Sequence, residues 1–336
     1  MSSTVNVQTN DVSQQHRNNN TVAALNLLRG VAALMVCLFH CKKYIWPKTN
    51  PYSFLEVLEY GYLGVYVFFV VSGFVIPYSM YTNRYSIRKI VRYLLKRTVR
   101  IEPPYIIFIL LLFGWNFFVH SWKGWGTPVL FSCSKFLLNI TYLAPLFKVK
   151  WILIIFWTLG VEFQFYLLSG ITYDTFMRNR WWRYGLIVAL MVVGKLIPMD
   201  YYTVFNYYVF FAIGFQTFLR YVGRIDWQEY VLTVLSLLLY TYFYEIPAAV
   251  PFVSLTIACI LFIRWTSRIT DFLGKISYSL YLTHGLAGGA IAVFMIGVLP
   301  STARFLAAII VSIVFAAIYY RIVERYFLRW SKNIRY

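Results

Sequence analysis

The chain has 336 residues, 60% of them hydrophobic and 21% aromatic, with only 13% charged. A soluble domain is nearer about 25% charged, so the composition excludes a soluble globular protein and indicates a polytopic membrane protein. The net charge of +19 does not require nucleic acid, because the basic residues fall in loops between apolar spans, where anionic headgroups and the positive-inside rule account for them.

In chain order, residues 1–22 (MSSTVNVQTNDVSQQHRNNNTV) are polar and lack an apolar run. They read as a disordered tail rather than a signal peptide. The stretch from Leu25 to His40, LNLLRGVAALMVCLFH, is apolar apart from Asn26, Arg29 and His40. As a helix it rises about 22 Å, most of a hydrocarbon core of about 30 Å. An arginine inside such a segment is a functional-site candidate by default. At about 100° per residue, Arg29 and His40 share one face and lie about 16 Å apart along the axis. The plainer alternative is a pair of interfacial anchors, with the arginine snorkelling to one interface and the histidine marking the other.

Further apolar segments place about ten spans, at 23–41, 60–82, 101–120, 151–172, 184–199, 203–220, 229–245, 247–263, 276–297 and 303–321. The segment 133–147 (CSKFLLNITYLAPLF) is too short to cross and contains Pro145, so it reads as interfacial or re-entrant within a long outer loop. With the N-terminus inside, most of the 31 Lys and Arg residues fall on the inner side, in loops around Arg84–Arg100, Arg178–Arg183, Arg220–Arg224 and Arg264–Lys275 and in the tails. The expectation is therefore an all-α transmembrane bundle with both termini cytoplasmic, comprising a tail over 1–22, a membrane domain over 23–326 and a basic tail over 327–336. The inner loop 83–100 repeats basic residues every three or four positions. It suits either a helix lying on anionic lipid or a site for a phosphate-bearing cytosolic ligand. Pro103 and Pro104 read as the start of the third span.

Few polar residues interrupt the remaining spans. FFVVSGF sets Ser72 and Gly73 at mid-membrane, where a serine usually bonds its own helix and a glycine permits close packing. WTLGVEFQFYLL carries Glu162, with Tyr166 one turn below it and Trp157 above. A carboxylate at that depth needs a cation, a histidine or a proton. ISYSLYLTHG sets Ser277, Tyr281 and His284 in a polar stripe on an apolar helix. Of the four cysteines, Cys37 and Cys41 share a helix face, but no second ligand pair follows, so neither a metal site nor a disulfide framework is expected.

Arg29 and His40 separated by ten residues, then FFVVSGF, RTVRIEPPY, WTLGVEFQFY and SYSLYLTHG, in that order, resemble the integral-membrane acyltransferase-3 family. That family includes bacterial O-acetylases of lipopolysaccharide, capsule, exopolysaccharide and nodulation factors. The motifs run from Arg29 to His284 and so cover nearly the whole membrane domain; the chain resembles the stand-alone form without a periplasmic hydrolase-like domain. Glu102–Pro103–Pro104 is a local variant of the pattern.

The resemblance implies transfer of an acyl group, usually acetyl from acetyl-CoA, to a sugar hydroxyl of an envelope glycan such as O-antigen, at the inner membrane of a bacterium. It marks Arg29 and His40 as essential, with His40 the favoured acid/base, associates Arg97 and Arg100 with the donor site, and marks Glu162. Ser72, Gly73, Tyr281 and His284 are pattern positions without a settled role. On this reading the partners are acyl-CoA, a glycan or lipid-linked saccharide acceptor and membrane lipids, with no metal and no nucleic acid. Glu162 is expected to orient His40, and Arg29 either to bind the donor or to polarise its carbonyl. Direct transfer and transfer through an acyl-histidine both stay open. The competing reading is a multispan transporter or flippase for a glycan or lipid-linked precursor, against which the lack of inverted repeats counts.

Overall fold

The computed structural model describes residues 3–46, 53–124, 132–265 and 267–336. Among them the fold is all-helical, without strands. In chain order the helices are α1 (Ser3–Ile45), α2 (Gly64–Thr82), α3 (Ile90–Lys123), α4 (Cys133–Ile140), α5 (Trp157–Arg178) and α6 (Arg180–Leu196). They continue as α7 (Tyr208–Tyr221), α8 (Trp227–Tyr244), α9 (Ala249–Phe262), α10 (Arg268–Phe294), α11 (Ser301–Tyr319) and α12 (Arg325–Asn333). Five helical stretches are long and apolar enough to cross a membrane: Ala24–Ile45, Leu55–Thr82, Ile87–Trp122, Ile154–Arg178 and Ser301–Asn333.

Each apolar segment read from the sequence overlaps one helix, but several boundaries move. α1 is helical from Ser3, where a disordered tail is expected; no glycine or proline interrupts residues 3–22. Pro103 and Pro104 do not open a span. They lie inside α3, which starts at Ile90 and absorbs most of the basic inner loop. A proline cannot donate to the carbonyl four residues back, so Val99 and Arg100 lose their usual helix partners. The segment 133–147 becomes α4 followed by a 3-10 turn over Ala144–Phe147. It is tied down by the fully buried Asn139, whose Nδ2 donates to the Lys135 carbonyl at 2.9 Å and whose Oδ1 accepts from the Ile152 amide at 3.0 Å. Residues 327–333 of the stretch expected as a basic tail lie instead in α12, which packs along α3, and the chain beyond it ends at the buried Tyr336. Charge alone conceals this, because Tyr336 docks by its ring, edge-on to Tyr85 and Tyr93.

The chain divides into two compact units. The first comprises Met1–Phe39, Asn50–Phe74 and Phe210–Tyr278. Glycine sets its helix spacing. A Cβ on Gly73 of α2 would lie 2.2 Å from the Phe211 carbonyl oxygen, and one on Gly214 of α7 would lie 2.1 Å from that of Val70. The backbones of α2 and α7 therefore touch, as small residues allow in membrane helices. Gly274 of α10 meets Asn26 of α1 in the same way, and Asn26 Nδ2 donates to Asp271 at 3.4 Å. The second unit comprises His40–Thr49, Val75–Val209 and Ser279–Tyr336. It contains α3 to α6, α11, α12 and the ends of α1 and α10, with α3 packed on α5 and α5 on α6.

Candidate functional site

The site is built inside the second unit, on the last turns of α1, the second half of α10 and the first turns of α5. Small residues on α10 let α1 approach it. A Cβ on Gly288 would lie 2.8 Å from Cys41 Sγ and 3.0 Å from Ser312 Oγ, and one on Gly285 would meet the Tyr44 hydroxyl at 3.5 Å. This close seat brings His40 Nδ1 to 3.1 Å from His284 Nε2. The ring centroids are 5.0 Å apart.

One further bond sets the direction of this pair. His284 is fully buried, and its Nδ1 lies 3.0 Å from the Leu280 carbonyl oxygen. A carbonyl only accepts, so Nδ1 of His284 carries the proton and its Nε2 offers a lone pair. Nδ1 of His40 must then donate to His284, which leaves the lone pair of a neutral His40 on Nε2. The relay thus presents an oriented base on a half-buried ring. Glu162 was expected to orient His40; the bond that the structure shows at His40 Nδ1 is donated to His284 Nε2.

α5 is stitched to α10 beside this pair. Thr158 Oγ1 and the Tyr281 hydroxyl are 2.6 Å apart, both buried, and each also reaches the Ile155 carbonyl, at 2.9 and 3.2 Å respectively. Trp157, next along, packs against Tyr202 and Tyr207 with its ring tilted 32° to each, centroids 5.3 and 5.0 Å away. Trp157 therefore anchors the start of α5.

One turn further on, the Tyr166 hydroxyl donates to Glu162 Oε1 at 2.5 Å. Tyr166 in turn forms part of a cage around Arg97. The guanidinium carbon lies 5.7 Å from the ring centres of both Tyr93 and Tyr166, and the ring of Tyr336 meets that of Tyr93 edge-on, 5.5 Å between centroids. Arg97 is 5% exposed, and its Nε has no hydrogen-bond partner. A buried cation held by neutral phenols is a site that an anion would complete. Arg100, one turn along and half-buried, acts electrostatically on the same Tyr166. Tyr85, in the turn before α3, donates to the Gly170 carbonyl at 2.7 Å. Burial, reinforced by Asp174 and Tyr336, pushes its phenol up to about 12.

The second unit thus gathers His40, Arg97, Arg100, Trp157, Glu162, Tyr166, Tyr281 and His284 of the residues singled out in the sequence. Arg29, Ser72 and Gly73 belong to the first unit. There Arg29 is half-buried on α1 beside the close α1–α10 crossing, and Gly73 serves helix packing. Ser277, also of that unit, donates to its own helix at the Gly274 carbonyl, 2.9 Å away.

Several contacts of the second unit were not read from the sequence, although Glu102 was noted there as part of a motif variant. Tyr93 precedes Arg97 by one helical turn, a spacing that could have marked it. Glu102 Oε1 accepts from Tyr142 at 2.8 Å, and Tyr142 stacks on Tyr105. Glu324, in a π-helical turn over Tyr320–Glu324, is 4% exposed and accepts from Ser279 Oγ at 2.6 Å. Such turns insert one residue into a helix and turn a side chain inward, which periodicity cannot reveal. Among the described residues, no three His, Cys, Asp or Glu side chains gather as a metal site.

Among curated proteins and among solved structures, nothing matches the chain. A paired-histidine base, a buried arginine and apolar membrane-length helices are nevertheless the parts a membrane acyltransferase needs, and the family model of an acyltransferase domain, Acyl_transf_3, matches residues 22–321, so the chain belongs to the acyltransferase-3 family.

Proposed function

We propose that this protein is an O-acyltransferase that moves an acetyl group from cytosolic acetyl-CoA to a sugar hydroxyl of an envelope glycan, such as O-antigen, capsule or exopolysaccharide, in a bacterial inner membrane. The observation that carries the reading is the His284–His40 relay, which leaves a lone pair on His40 Nε2. On this reading, His40 Nε2 takes the proton of the acceptor hydroxyl as its oxygen attacks the thioester carbonyl. The C–O bond forms, the C–S bond breaks, and the leaving thiolate takes the proton back from the imidazolium. His284 keeps accepting from His40 Nδ1 while His40 is charged, the role of the third member of a hydrolase triad.

The donor phosphates are assigned to Arg97 and Arg100, since a guanidinium fork suits phosphate oxygens. Glu162 is assigned to the acceptor or to the carbonyl side of the reaction through Tyr166. Arg29, on the same helix as His40, is assigned to donor binding or carbonyl polarisation. The test is incubation of purified protein with labelled acetyl-CoA and glycan, together with mass spectrometry of envelope glycans from cells with and without the gene. Acetylated glycan that depends on the gene is the expected result. Movement of glycan with no acetylated product would replace this reading with a transporter.

A further inference from the structure

The second half of α5 carries on from the wall of the Arg97 cage. Tyr166, Gly170, Asp174 and Arg178 follow one another at four-residue steps, so they form a single ridge of that helix. Tyr166 lines the cage, its ring centre 5.7 Å from the guanidinium carbon of Arg97. A Cβ on Gly170 would lie 3.3 Å from the Ile90 side chain and 3.4 Å from the ring of Tyr93, which also faces Arg97. Asp174 Oδ2 accepts from the Ile87 amide at 3.1 Å, so the ridge stays bound to the approach to α3 as far as this turn. There a cavity of about 670 Å³ opens, lined by Asp174, Thr175 and Arg178 of α5 and by Trp182 of α6.

The lining carries both signs of charge, and most of it is unengaged. Among the described residues, no ion pair joins Asp174 to Arg178, although they are one turn apart, and neither Arg178 nor Thr175 makes a side-chain hydrogen bond. Trp182 is 68% exposed, which leaves indole surface for a flat ligand. A carboxylate accepts from an exocyclic amine, an indole stacks on a purine, and a guanidinium takes a phosphate. Those three groups are the parts of an adenosine 3′-phosphate, and the volume falls within the range of about 300–1,000 Å³ that holds a small ligand. From Tyr166 to Asp174 the ridge rises about 12 Å, the stretch that a nucleoside covers when its diphosphate sits at Arg97. A phosphoethanolamine headgroup also offers an amine and a phosphate, but it has no ring for Trp182 and too little bulk for this volume. We infer that the cavity between the end of α5 and the start of α6 binds the nucleotide end of the acyl donor. Adenine stacks on Trp182 with its amine towards Asp174, and the 3′-phosphate meets Arg178. This rests on the assignment of the remaining donor phosphates to Arg97 and Arg100.

The test is equilibrium binding of coenzyme A, 3′-dephospho-coenzyme A and pantetheine 4′-phosphate to the full chain in detergent. Arg178→Gln is expected to weaken coenzyme A binding about tenfold and to change the other two less than about twofold, because only coenzyme A carries the 3′-phosphate. Trp182→Ala should weaken both nucleotides about tenfold and leave pantetheine 4′-phosphate within about twofold. Both side chains are exposed, so thermal melting should stay near wild type. Wild-type affinity for coenzyme A in both variants, or losses that are equal for the three ligands, would overturn the inference and leave the assignment of Arg97 and Arg100 standing. So would variants whose only change is less phosphatidylethanolamine retained on purification, which would give the cavity to a lipid headgroup. Failure of the wild-type protein to bind coenzyme A would overturn both readings.

Discussion

His40 and His284 are two imidazoles in series, and the carbonyl of Leu280 decides which of their four nitrogens faces the substrate. That arrangement separates their expected roles. His40→Ala removes the base, and His284→Ala leaves the base but frees its ring to turn or to adopt the other tautomer. Both are expected to lower kcat by about 10²- to 10⁴-fold while the donor KM and the membrane content of the protein stay close to wild type. Initial rates at saturating acetyl-CoA would check this, and a normal rate for His284→Ala would reduce that residue to core packing. Arg29, His40 and His284 were all legible as polar residues on apolar helices. The bond between two of them was not, because periodicity gives the face of a helix but not the neighbour that the face meets. Tyr85 offers a pH test in the same unit. Its phenol is raised to about 12 from an ordinary value near 10, so the folded state holds that proton more tightly than the unfolded one. Its contribution to stability is therefore complete below about pH 10 and lost as pH rises towards 12. Tyr85→Phe should be less stable at neutral pH by about 1 kcal/mol, through loss of the bond to the Gly170 carbonyl, and should lose less stability between pH 10 and 12. Thermal melting of both proteins across that range is the measurement.

The helices themselves were the most legible level, since each predicted apolar segment overlaps one of them; their ends were the least. α3 shows why. A proline pair is a reasonable signal for a helix start, but Pro103 and Pro104 sit well inside, and packing against α5 and α12 outweighs the lost backbone bonds. The Tyr319 hydroxyl donating to the Pro104 carbonyl at 2.5 Å shows α11 bonding directly to this stretch. Glycine contacts were legible in kind but not in place. Gly73 was expected to allow close packing, yet only the structure shows that its partner is the Phe211 carbonyl. Gly73→Ala puts a methyl group 2.2 Å from that oxygen, so α2 and α7 must separate. A loss of about 1–3 kcal/mol is expected, seen as lower yield of folded protein and a lower melting temperature. Gly114→Ala in α3, where a Cβ meets nothing within 4 Å, is the control and should melt at or above the wild-type temperature.

At the scale of the whole chain, the second unit alone carries the buried arginine, the paired histidines and the carboxylate between them in sequence. The proposed base and the arginines proposed for the donor phosphates therefore share one packed unit, whereas Arg29 belongs to the other. What the composition adds is direction. The 31 basic residues outnumber the 12 acidic ones, and their crowding into alternate loops is the feature that orients a chain in the bilayer. Acyl-CoA carries several phosphate charges and does not cross a bilayer unaided, so donor use must be sided. Cys133, at the start of α4, is an exposed free cysteine, whereas Cys37 and Cys41 are buried. It therefore serves as a reporter of the face that α4 occupies. In sealed proteoliposomes holding glycan acceptor on both sides, labelled acetyl-CoA should give product only when added on the face opposite the one from which a membrane-impermeant maleimide modifies Cys133. Cys133→Ser should abolish the rapid maleimide signal and leave transfer intact. Product formed only from the same face as Cys133 labelling would place Arg97 and α4 on one side of the membrane, and the topology read from the basic loops would have to be abandoned.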